Sequence, residues 1–253
     1  MIELVNADCN NYLDTLPKKC GDLFIIDPPY YKVVQQEWDR QWETLDDYIK
    51  WCSVWLDKVN SVAKDDSILY LFGYSYQLMK LLPIIEKLGY NLRQPIIIDK
   101  GLQSIAGRKF LEKNRFPIVT EYIFFYMKGN PYFDCGHGFV DVWRDLNFYG
   151  EKILPRIHPT QKPYTLISRL ITTSSKESAL VVDPFAGTGV VAVACSNLNR
   201  EYRGCEIDTD MYKKSIELLK MQQKRQQNFD IDDIRVYKPS PKKLKIKRDI
   251  FLF

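Results

Sequence analysis

Histidine is scarce in this sequence and its cysteines are unpaired, which bears on metal binding. Two histidines occur in 253 residues, and the six cysteines form no C-x-x-C pair. Structural zinc sites usually combine closely spaced cysteine and histidine ligands. We therefore expect no metal site and a reduced protein interior.

A long apolar run and a leader segment are also lacking. No apolar stretch approaches the roughly 18 residues that cross a membrane. The opening residues, MIELVNADCNNYLDTL, show no basic segment followed by an apolar core and a cleavage site. These absences predict a soluble cytoplasmic protein that has no membrane partner.

Positive charge is in only slight excess. Lysine and arginine total 36 against 32 aspartates and glutamates, which gives a formal net charge of +4. That excess permits a polyanionic partner but excludes the heavily basic composition of a histone-like protein. A chain of this length, 45% hydrophobic and 27% charged, suits one α/β domain over residues 1–253.

Short apolar runs alternate with helical patterns along the chain. Runs rich in β-branched and aromatic residues predict strands buried on both faces, at residues 23–26, 67–73, 95–99, 121–127, 179–183 and 202–207. Helical segments are predicted to begin at Leu45, Ser75, Tyr164 and Val190. This alternation favours an α/β fold with a doubly wound, mostly parallel sheet.

One strand-to-helix connection has the composition of a nucleoside site. The strand that ends in Asp183 is followed by the loop Phe185, Ala186, Gly187, Thr188 and Gly189 and then by an apolar helix. Glycines there allow a sharp turn and a close approach to a ligand. Glu206 ends the next strand, 206 − 183 = 23 residues after Asp183, near the ~20 expected for an acid that binds ribose hydroxyls. The alternative is a plain strand-to-helix turn.

Four motifs together resemble one enzyme family. They are DPPY at residues 27–30, HPTQKP at 158–163, DPFAGTG at 183–189 and the run around Glu206 and Tyr212. This set is similar to the S-adenosylmethionine-dependent amino-methyltransferases of DNA, which modify adenine N6 or cytosine N4. DPPY precedes DPFAGTG, which resembles the circularly permuted beta group of that family. The resemblance implies a Rossmann-like sheet of the seven-stranded type, and it extends from the N-terminal region to about Leu219.

The resemblance also implies the roles of particular residues. The catalytic residues would be Asp27, Pro28, Pro29 and Tyr30. S-adenosylmethionine would be bound by Asp8, Cys9, Asp27, His158, Thr160, Gln161, Lys162, Asp183, Phe185, Ala186, Gly187, Thr188, Gly189, Glu206 and Ile207. Within this set Glu206 would hold the ribose hydroxyls, Lys162 and its neighbours would meet the methionine end, and Asp8 and Cys9 would lie near the adenine.

The DPPY residues suit methyl transfer to an amino nitrogen. Its lone pair is delocalised into the aromatic ring, so Asp27 and the Pro28 carbonyl would each accept one amino hydrogen and favour the pyramidal transition state. The target base would be flipped out of the duplex, and Tyr30 would stack on it. The structural alternative is a turn that closes a strand, with Tyr30 in the core. A cytosine-C5 mechanism is disfavoured because the sequence presents no cysteine nucleophile after a proline.

The sequence constrains the target base, the type of nucleic acid and the protein partners less than it constrains the reaction. The initial aspartate of DPPY favours adenine N6 as the target, with cytosine N4 as the alternative base. Double-stranded DNA is the expected partner, with structured RNA as the alternative nucleic acid. A homodimer or a partner subunit remains open. Two rival functions are a non-catalytic nucleic-acid-binding regulator and a nicotinamide-dependent oxidoreductase, although the latter leaves DPPY unexplained.

Sequence recognition is expected outside the catalytic motifs. Residues 100–157 are predicted to be irregular loops that form the target-recognition region, with candidate contacts from Arg108, Lys109, Lys113, Arg115, Arg144 and Arg156. Residues 237–253 form a basic tail, either solvated or in contact with phosphates. Trp38 and Trp42 are either stacking residues of a loop that closes over DNA or core aromatics of the following helix.

Overall fold

A computed structural model describes residues 1–31, 41–101, 116–134, 136, 138–144, 146 and 153–228, with side chains to 222. The strands within them are β1 Ile2–Asn6, β2 Gly21–Ile26, β3 Ala63–Gly73, β4 Asn91–Asp99, β5 Thr120–Lys128, β6 Val142–Trp143, β7 Leu180–Asp183 and β8 Glu201–Glu206. The helices are α1 Cys9–Thr15, α2 Leu45–Val62, α3 Ser75–Lys87, α4 Tyr164–Ser174, α5 Val190–Asn197 and α6 Thr209–Asn228.

The described strands form one eight-stranded sheet in the order β1-β8-β7-β2-β3-β5-β4-β6. Five of the seven neighbouring pairs are parallel, and β5 runs antiparallel to both β3 and β4. The prediction of a doubly wound, mostly parallel sheet is therefore confirmed. The short strand β6 is added at one edge of the sheet.

Two hydrophobic cores cover the two faces of the sheet. Within β2, Leu23 and Ile25 face the core that contains α4, α5 and α6, while Phe24 and Ile26 face the core that contains α1, α2 and α3. All four side chains are at most 2% exposed. Burial on both faces explains why this strand is continuously apolar rather than alternating.

Helix α2 begins at a capping box and presents aromatic side chains to the sheet. The Thr44 hydroxyl accepts the Asp47 N–H at 3.1 Å, and the Asp47 carboxylate accepts the Thr44 N–H at 3.2 Å. Trp42, just before the cap, is 7% exposed and packs edge-on against Tyr48 with ring centroids 4.9 Å apart. Trp42 is thus a core aromatic, whereas Trp38 lies outside the described residues.

The reversed direction of β5 determines which side chains meet at one edge of the sheet. Tyr122 pairs with Gly73 at the end of β3, and Thr120 pairs with Asp99 at the end of β4. The first residues of β5 therefore lie where the parallel strands end. In the part of the chain that the structure describes, no helix is both long and apolar enough to span a bilayer.

Candidate active site

Acidic side chains converge at the carboxyl edge of the sheet. Asp27 follows β2, and Asp183 ends β7, which pairs directly with β2. Glu206 ends β8, and Glu121 enters the same edge near the start of β5. In open α/β sheets, ligands bind at the carboxyl ends of the strands, so this edge is the candidate active site.

The DPPY aspartate and tyrosine are hydrogen-bonded to each other. The Tyr30 hydroxyl lies 2.6 Å from Asp27 Oδ1, and it also lies 2.7 Å from Glu121 Oε1. The Tyr30 ring packs edge-on against Tyr74, with ring centroids 5.5 Å apart. Pro28 is buried, whereas Pro29 and Tyr30 are half-buried. Stacking of Tyr30 on a base stays a prediction.

Lys162 is the basic member of this cluster. Its ammonium lies 3.1 Å from Asp27 Oδ2 and makes an ion pair with Glu121 Oε1. It also lies over the rings of Tyr30 and Phe72, 5.6 and 5.1 Å from their centroids. The structure therefore places Lys162 against the DPPY aspartate, and its predicted contact with the methionine end of the cofactor stays a prediction.

Burial and charge shift the pKa values of the cluster in different directions. Burial raises the pKa of Asp27, and the nearby Lys162 charge opposes that shift only in part. Burial also acts on Glu121, but Lys162 and Lys100 outweigh it and lower the pKa of that carboxyl to about 2. The two carboxylates raise the pKa of Lys162 against the effect of its burial. Glu121 and Lys162 are therefore a charged pair at neutral pH.

The motifs alone did not point to Glu121 or Lys100. Glu121 is 5% exposed, and Lys100 lies 3.4 Å from its second carboxylate oxygen. A signal was present, because Glu121 is an acid next to the otherwise apolar strand residues YIFFYM. Charged residues are almost never fully buried unless they are paired, so an acid in that position indicates a buried partner.

The glycine loop is closed by backbone hydrogen bonds and by Glu206. Gly187 and Gly189 have φ values of 50° and 75°, which favour glycine. Glu206 accepts the Gly187 N–H at 2.7 Å through Oε2 and the Asp208 N–H at 2.8 Å through Oε1. Burial raises the pKa of Glu206. The predicted ribose-binding acid thus stands directly beside the loop, and each of its oxygens retains a lone pair for a ligand.

Aromatic packing fixes one wall of the loop. The Phe185 ring packs edge-on against Trp51 and Trp55 of α2, at centroid distances of 5.8 and 5.3 Å. Ala186 and Thr188 are buried, at 5% and 6% exposure. Ile207, which follows Glu206 in the chain, is 68% exposed. An exposed apolar side chain between Glu206 and Asp208 is suited to contact the flat face of a nucleobase.

These residues fit a nucleoside-type cofactor such as S-adenosylmethionine. Close approach is possible at Gly187, because a Cβ built there would meet one atom within 4 Å, the Phe185 carbonyl oxygen at 4.0 Å. Hydroxyl acceptors are present on Glu206, and an apolar surface is present on Ile207. The donor set therefore agrees with the predicted cofactor site.

The remaining predicted cofactor residues have structural partners. Asp8 caps α1 by accepting the Asn10 and Asn11 N–H groups at 2.9 and 3.2 Å. Burial raises the pKa of the Cys9 thiol to about 12, so this group is neutral. Three side chains stabilise the turn before Lys162. His158 Nδ1 and Thr160 Oγ1 are hydrogen-bonded at 2.8 Å, and Gln161 Oε1 accepts the Ile157 N–H at 3.0 Å. Their contacts with a cofactor stay predictions.

The described residues show no cluster of three or more histidine, cysteine or acidic side chains suited to a metal ion. Five cysteines, Cys9, Cys20, Cys52, Cys195 and Cys205, are free thiols. Cys135 lies outside the described residues, as do Arg108, Lys109, Lys113, Arg115 and the tail at 237–253.

Sequence comparison finds similarity over most of the chain. The family model described as DNA methylase, of the N6/N4 type, matches residues 21–218. The Type II methyltransferase M.BglII of Bacillus subtilis is 25% identical, over 93% of this chain and 74% of that protein. The Type II methyltransferase M.HinfI of Haemophilus influenzae is 24% identical, over 80% of this chain and 64% of that protein. The chain thus spans less than two thirds of the second relative.

Solved structures share the fold. The complex of M1.HpyAVI with S-adenosylmethionine aligns with a TM-score of 0.60 at 19% identity and covers 86% of this chain and 99% of that one. The cytosine-N4-specific PvuII DNA methyltransferase aligns with a TM-score of 0.69 at 16% identity and covers 90% and 93%. At these identities the likeness shows that the fold is shared, and the reaction has to be inferred from the residues of the site.

Proposed function

Because this chain belongs to the N6/N4 DNA methylase family, we propose that it methylates the exocyclic N6 amino group of adenine in DNA. The methyl donor of the family is S-adenosylmethionine, and the glycine loop with Glu206 would hold it here. The observation that carries the proposal is the position of Asp27. Its carboxylate is 33% exposed, and Asp27 directly follows β2, the strand next to the one that leads into the loop.

The cofactor supplies a methyl group made electrophilic by its bond to a sulfonium sulfur. The residues of this chain would prepare the nucleophile. Asp27 would accept one hydrogen of the target amino group and the Pro28 carbonyl the other, which favours the pyramidal nitrogen of the transition state over the planar ground state. No covalent enzyme intermediate is needed, since the nitrogen would bond to the methyl carbon in line with the sulfur as the carbon–sulfur bond breaks. The products would be the methylated base and S-adenosylhomocysteine, and one amino hydrogen would leave as a proton to solvent.

The initial aspartate of DPPY supports adenine as the base. Cytosine N4 is the second candidate, because the PvuII enzyme shares the fold and is cytosine-N4-specific. Both bases present an exocyclic amino group to the same pair of acceptors, so the site geometry is compatible with either one. The proposal of adenine therefore has to be tested by identifying the modified base.

Recognition of a DNA sequence is proposed for the parts of residues 100–157 that lie outside β5 and β6, because these two strands belong to the sheet and are not irregular loops as predicted. Within that range Arg144 is described and is 75% exposed, and its Nε lies 3.3 Å from Asp99. Arg156 donates to the Pro159 carbonyl oxygen. Double-stranded DNA is the proposed substrate. A second copy of the chain or a partner subunit is proposed to complete the surface that contacts it.

The first test is a direct assay of the product. Purified protein is incubated with unmethylated genomic DNA and S-adenosylmethionine, and the DNA is digested to nucleosides for mass spectrometry. N6-methyladenine supports the proposal. N4-methylcytosine would keep the mechanism and replace the base, whereas no modified nucleoside from folded, cofactor-binding protein would contradict the proposal.

An Asp27→Ala variant tests the residue that carries the proposal. We expect loss of methyl transfer with measurable binding of S-adenosylmethionine in calorimetry, because Asp27 acts on the amino group and the glycine loop with Glu206 still holds the cofactor. The matched control is Asp65→Ala, which removes a 73% exposed carboxylate paired with Lys19. Full activity of Asp27→Ala would sink the assignment of DPPY as the catalytic motif.

A further inference from the structure

Glu121 is a buried acid that the proposed mechanism does not yet use. Its Oε1 accepts the Tyr30 hydroxyl at 2.7 Å and the Lys162 ammonium, and its Oε2 is 3.4 Å from Lys100. Its strand is internal to the sheet, with Glu121 paired to Ile98 on β4. This carboxylate is therefore held rigidly while it contacts two cations and the DPPY tyrosine.

We propose that Glu121 is the positioning residue of the DPPY site, holding Lys162 and Tyr30 so that the Asp27 carboxylate stays available to the target amino group. The inference rests on the proposed function. Glu121 would act through its neighbours and would not touch the substrate itself.

Competition for Asp27 is the first reason. The Lys162 ammonium is already 3.1 Å from Asp27 Oδ2. Hydrogen bonds from a charged donor are roughly twice as strong as those from a neutral one, so an unrestrained Lys162 would outcompete the neutral amino group of a base for that oxygen. Glu121 gives the ammonium a second carboxylate, which reduces its hold on Asp27.

Hydrogen counting supplies the second reason. The Tyr30 hydroxyl has one hydrogen but lies within 2.7 Å of oxygens on both Asp27 and Glu121. One hydrogen can be donated fully to only one of these two carboxylates at a time. Glu121 accepts from Lys162 and Lys100, and those charges keep its pKa low, whereas burial raises that of Asp27. The Tyr30 hydrogen is therefore drawn to the charged Glu121 carboxylate, which leaves a lone pair of Asp27 Oδ1 open to a hydrogen of the target amino group.

Glu121 is unsuited to be the final proton acceptor of the reaction. Its pKa of about 2 keeps it ionised even beside the developing charge of a methylated amino group. A carboxylate that stays charged can hold its neighbours in place throughout the reaction. This separates positioning by Glu121 from hydrogen acceptance by Asp27.

The test compares Glu121→Gln with the wild-type chain in methylation of DNA over a range of pH. We expect kcat to fall by about tenfold or more, because the charge-assisted hydrogen bonds that Glu121 accepts from Lys162 and Tyr30 are weakened. The dissociation constant for S-adenosylmethionine should change little. The acid limb of the kcat profile should also move to lower pH. The acid limb reports the ionisation of Asp27 together with the groups coupled to it, Glu121 and Lys162.

The direction of the shift follows from the groups that face Asp27. They are Glu121 from β5, Lys162 from the turn before α4, Tyr30 from the same loop and Asp183 from β7, with Lys100 behind Glu121. Removing the Glu121 charge removes a repulsion on Asp27 and leaves Asp27 as the one carboxylate paired with Lys162. Both changes lower the pKa of Asp27, so it ionises at lower pH. Lys100→Met removes a positive charge from the same cluster, and we expect its acid limb to move the opposite way.

The matched control is Asp22→Asn, which removes another lysine-paired carboxylate near the opposite end of β2. Asp22 lies 2.6 Å from Lys64 and accepts the Leu180 N–H at 2.9 Å. Its acid limb should coincide with that of wild type.

Two outcomes would overturn the inference. One is a Glu121→Gln enzyme with the wild-type kcat and acid limb. The other is a loss of activity with an unmoved acid limb in both Glu121→Gln and Lys100→Met, which would leave Glu121 a purely structural role. Absence of methylation by the wild-type chain would instead contradict the proposed function.

Discussion

The carboxyl group of Asp183 is enclosed at the point where β7 enters the glycine loop. Its side chain is 2% exposed, and burial raises its pKa to about 8, although the Phe185 N–H and the Tyr202 hydroxyl favour the charged form. The distances to these donors are 3.1 and 3.3 Å. At neutral pH Asp183 is therefore mainly the neutral acid, which bonds the loop without adding a third charge beside Asp27 and Glu206.

Neutral Asp183 predicts a pH-dependent stability. Its pKa in the folded chain, about 8, exceeds the unfolded value of roughly 3.9, so folding takes up a proton between these values. The free energy of unfolding should fall as pH rises through that window, by up to ~1.4 kcal/mol per pH unit from this group. Asp183→Asn keeps the acceptor for Phe185 and should flatten the slope.

Urea unfolding at pH 5 and pH 8 measures this effect. The difference in unfolding free energy between the two pH values should be smaller in Asp183→Asn than in wild type. Asp65→Asn, at an exposed ion pair with Lys19, provides the comparison and should keep the wild-type slope. Equal slopes in wild type and Asp183→Asn would show that Asp183 is already charged in the folded protein.

Motif spacing predicted the acids that end strands, but it did not predict their partners. Asp27, Asp183 and Glu206 were expected from local patterns, and the structure brings all three to one edge of the sheet. Glu121 comes from 94 residues beyond Asp27 (121 − 27), and its pairing depends on strand order. A single sequence contains no local signal for that order.

At the scale of elements, strand β8 depends on a glycine. Tyr202 and Gly204 lie two residues apart on β8, and the Tyr202 hydroxyl extends over Gly204 to reach Asp183. A Cβ on Gly204 would overlap the Tyr202 hydroxyl and lie 2.7 Å from the Asp183 carbonyl oxygen. The second neighbour is backbone, so the strand cannot relieve the clash by a side-chain rotation.

Gly204→Ala is expected to destabilise the fold by about 1–3 kcal/mol, as for overpacking of a tight core. Chemical denaturation with circular dichroism measures the change. Gly73→Ala is the matched control on β3, because the three atoms nearest to its Cβ would all belong to the Leu78 side chain, the nearest at 3.1 Å, and that side chain can shift. If the two variants lost equal stability, the backbone contact at Gly204 would not be the cause.

Element prediction succeeded where apolar runs are long and buried. The predicted strands at 23–26, 67–73 and 121–127 lie within β2, β3 and β5. Strand β1 was not predicted, because IELVN lies at the edge of the sheet and is only half-buried. The antiparallel direction of β5 was also not predicted, since periodicity reports burial and not strand direction.

At the scale of the whole molecule, cofactor binding should stabilise the fold. A ligand that binds only the native state at a hundred times its dissociation constant adds about 2.7 kcal/mol. For a chain of this size we expect the melting temperature to rise by about 5–10 °C with S-adenosylmethionine. Thermal melts monitored by tryptophan fluorescence measure the shift.

A nicotinamide dinucleotide is the control ligand, since a nicotinamide-dependent oxidoreductase is the rival on a similar sheet. It should leave the melting temperature unchanged. A larger shift with the dinucleotide than with S-adenosylmethionine would contradict the assignment of the glycine loop.

The antiparallel pairing of β4 with β5 has a consequence for the length of the segment that joins these strands. Asp99 pairs with Thr120, and the Lys100 N–H donates to the Val119 carbonyl oxygen at 2.9 Å. The connection between these strands thus leaves and re-enters the sheet at the catalytic edge. Closing a connection of twice the length costs only ~0.6 kcal/mol more. A change in the length of the segment that joins residues 101 and 116 is therefore expected to leave the pairing of β4 with β5, and with it the DPPY cluster, in place.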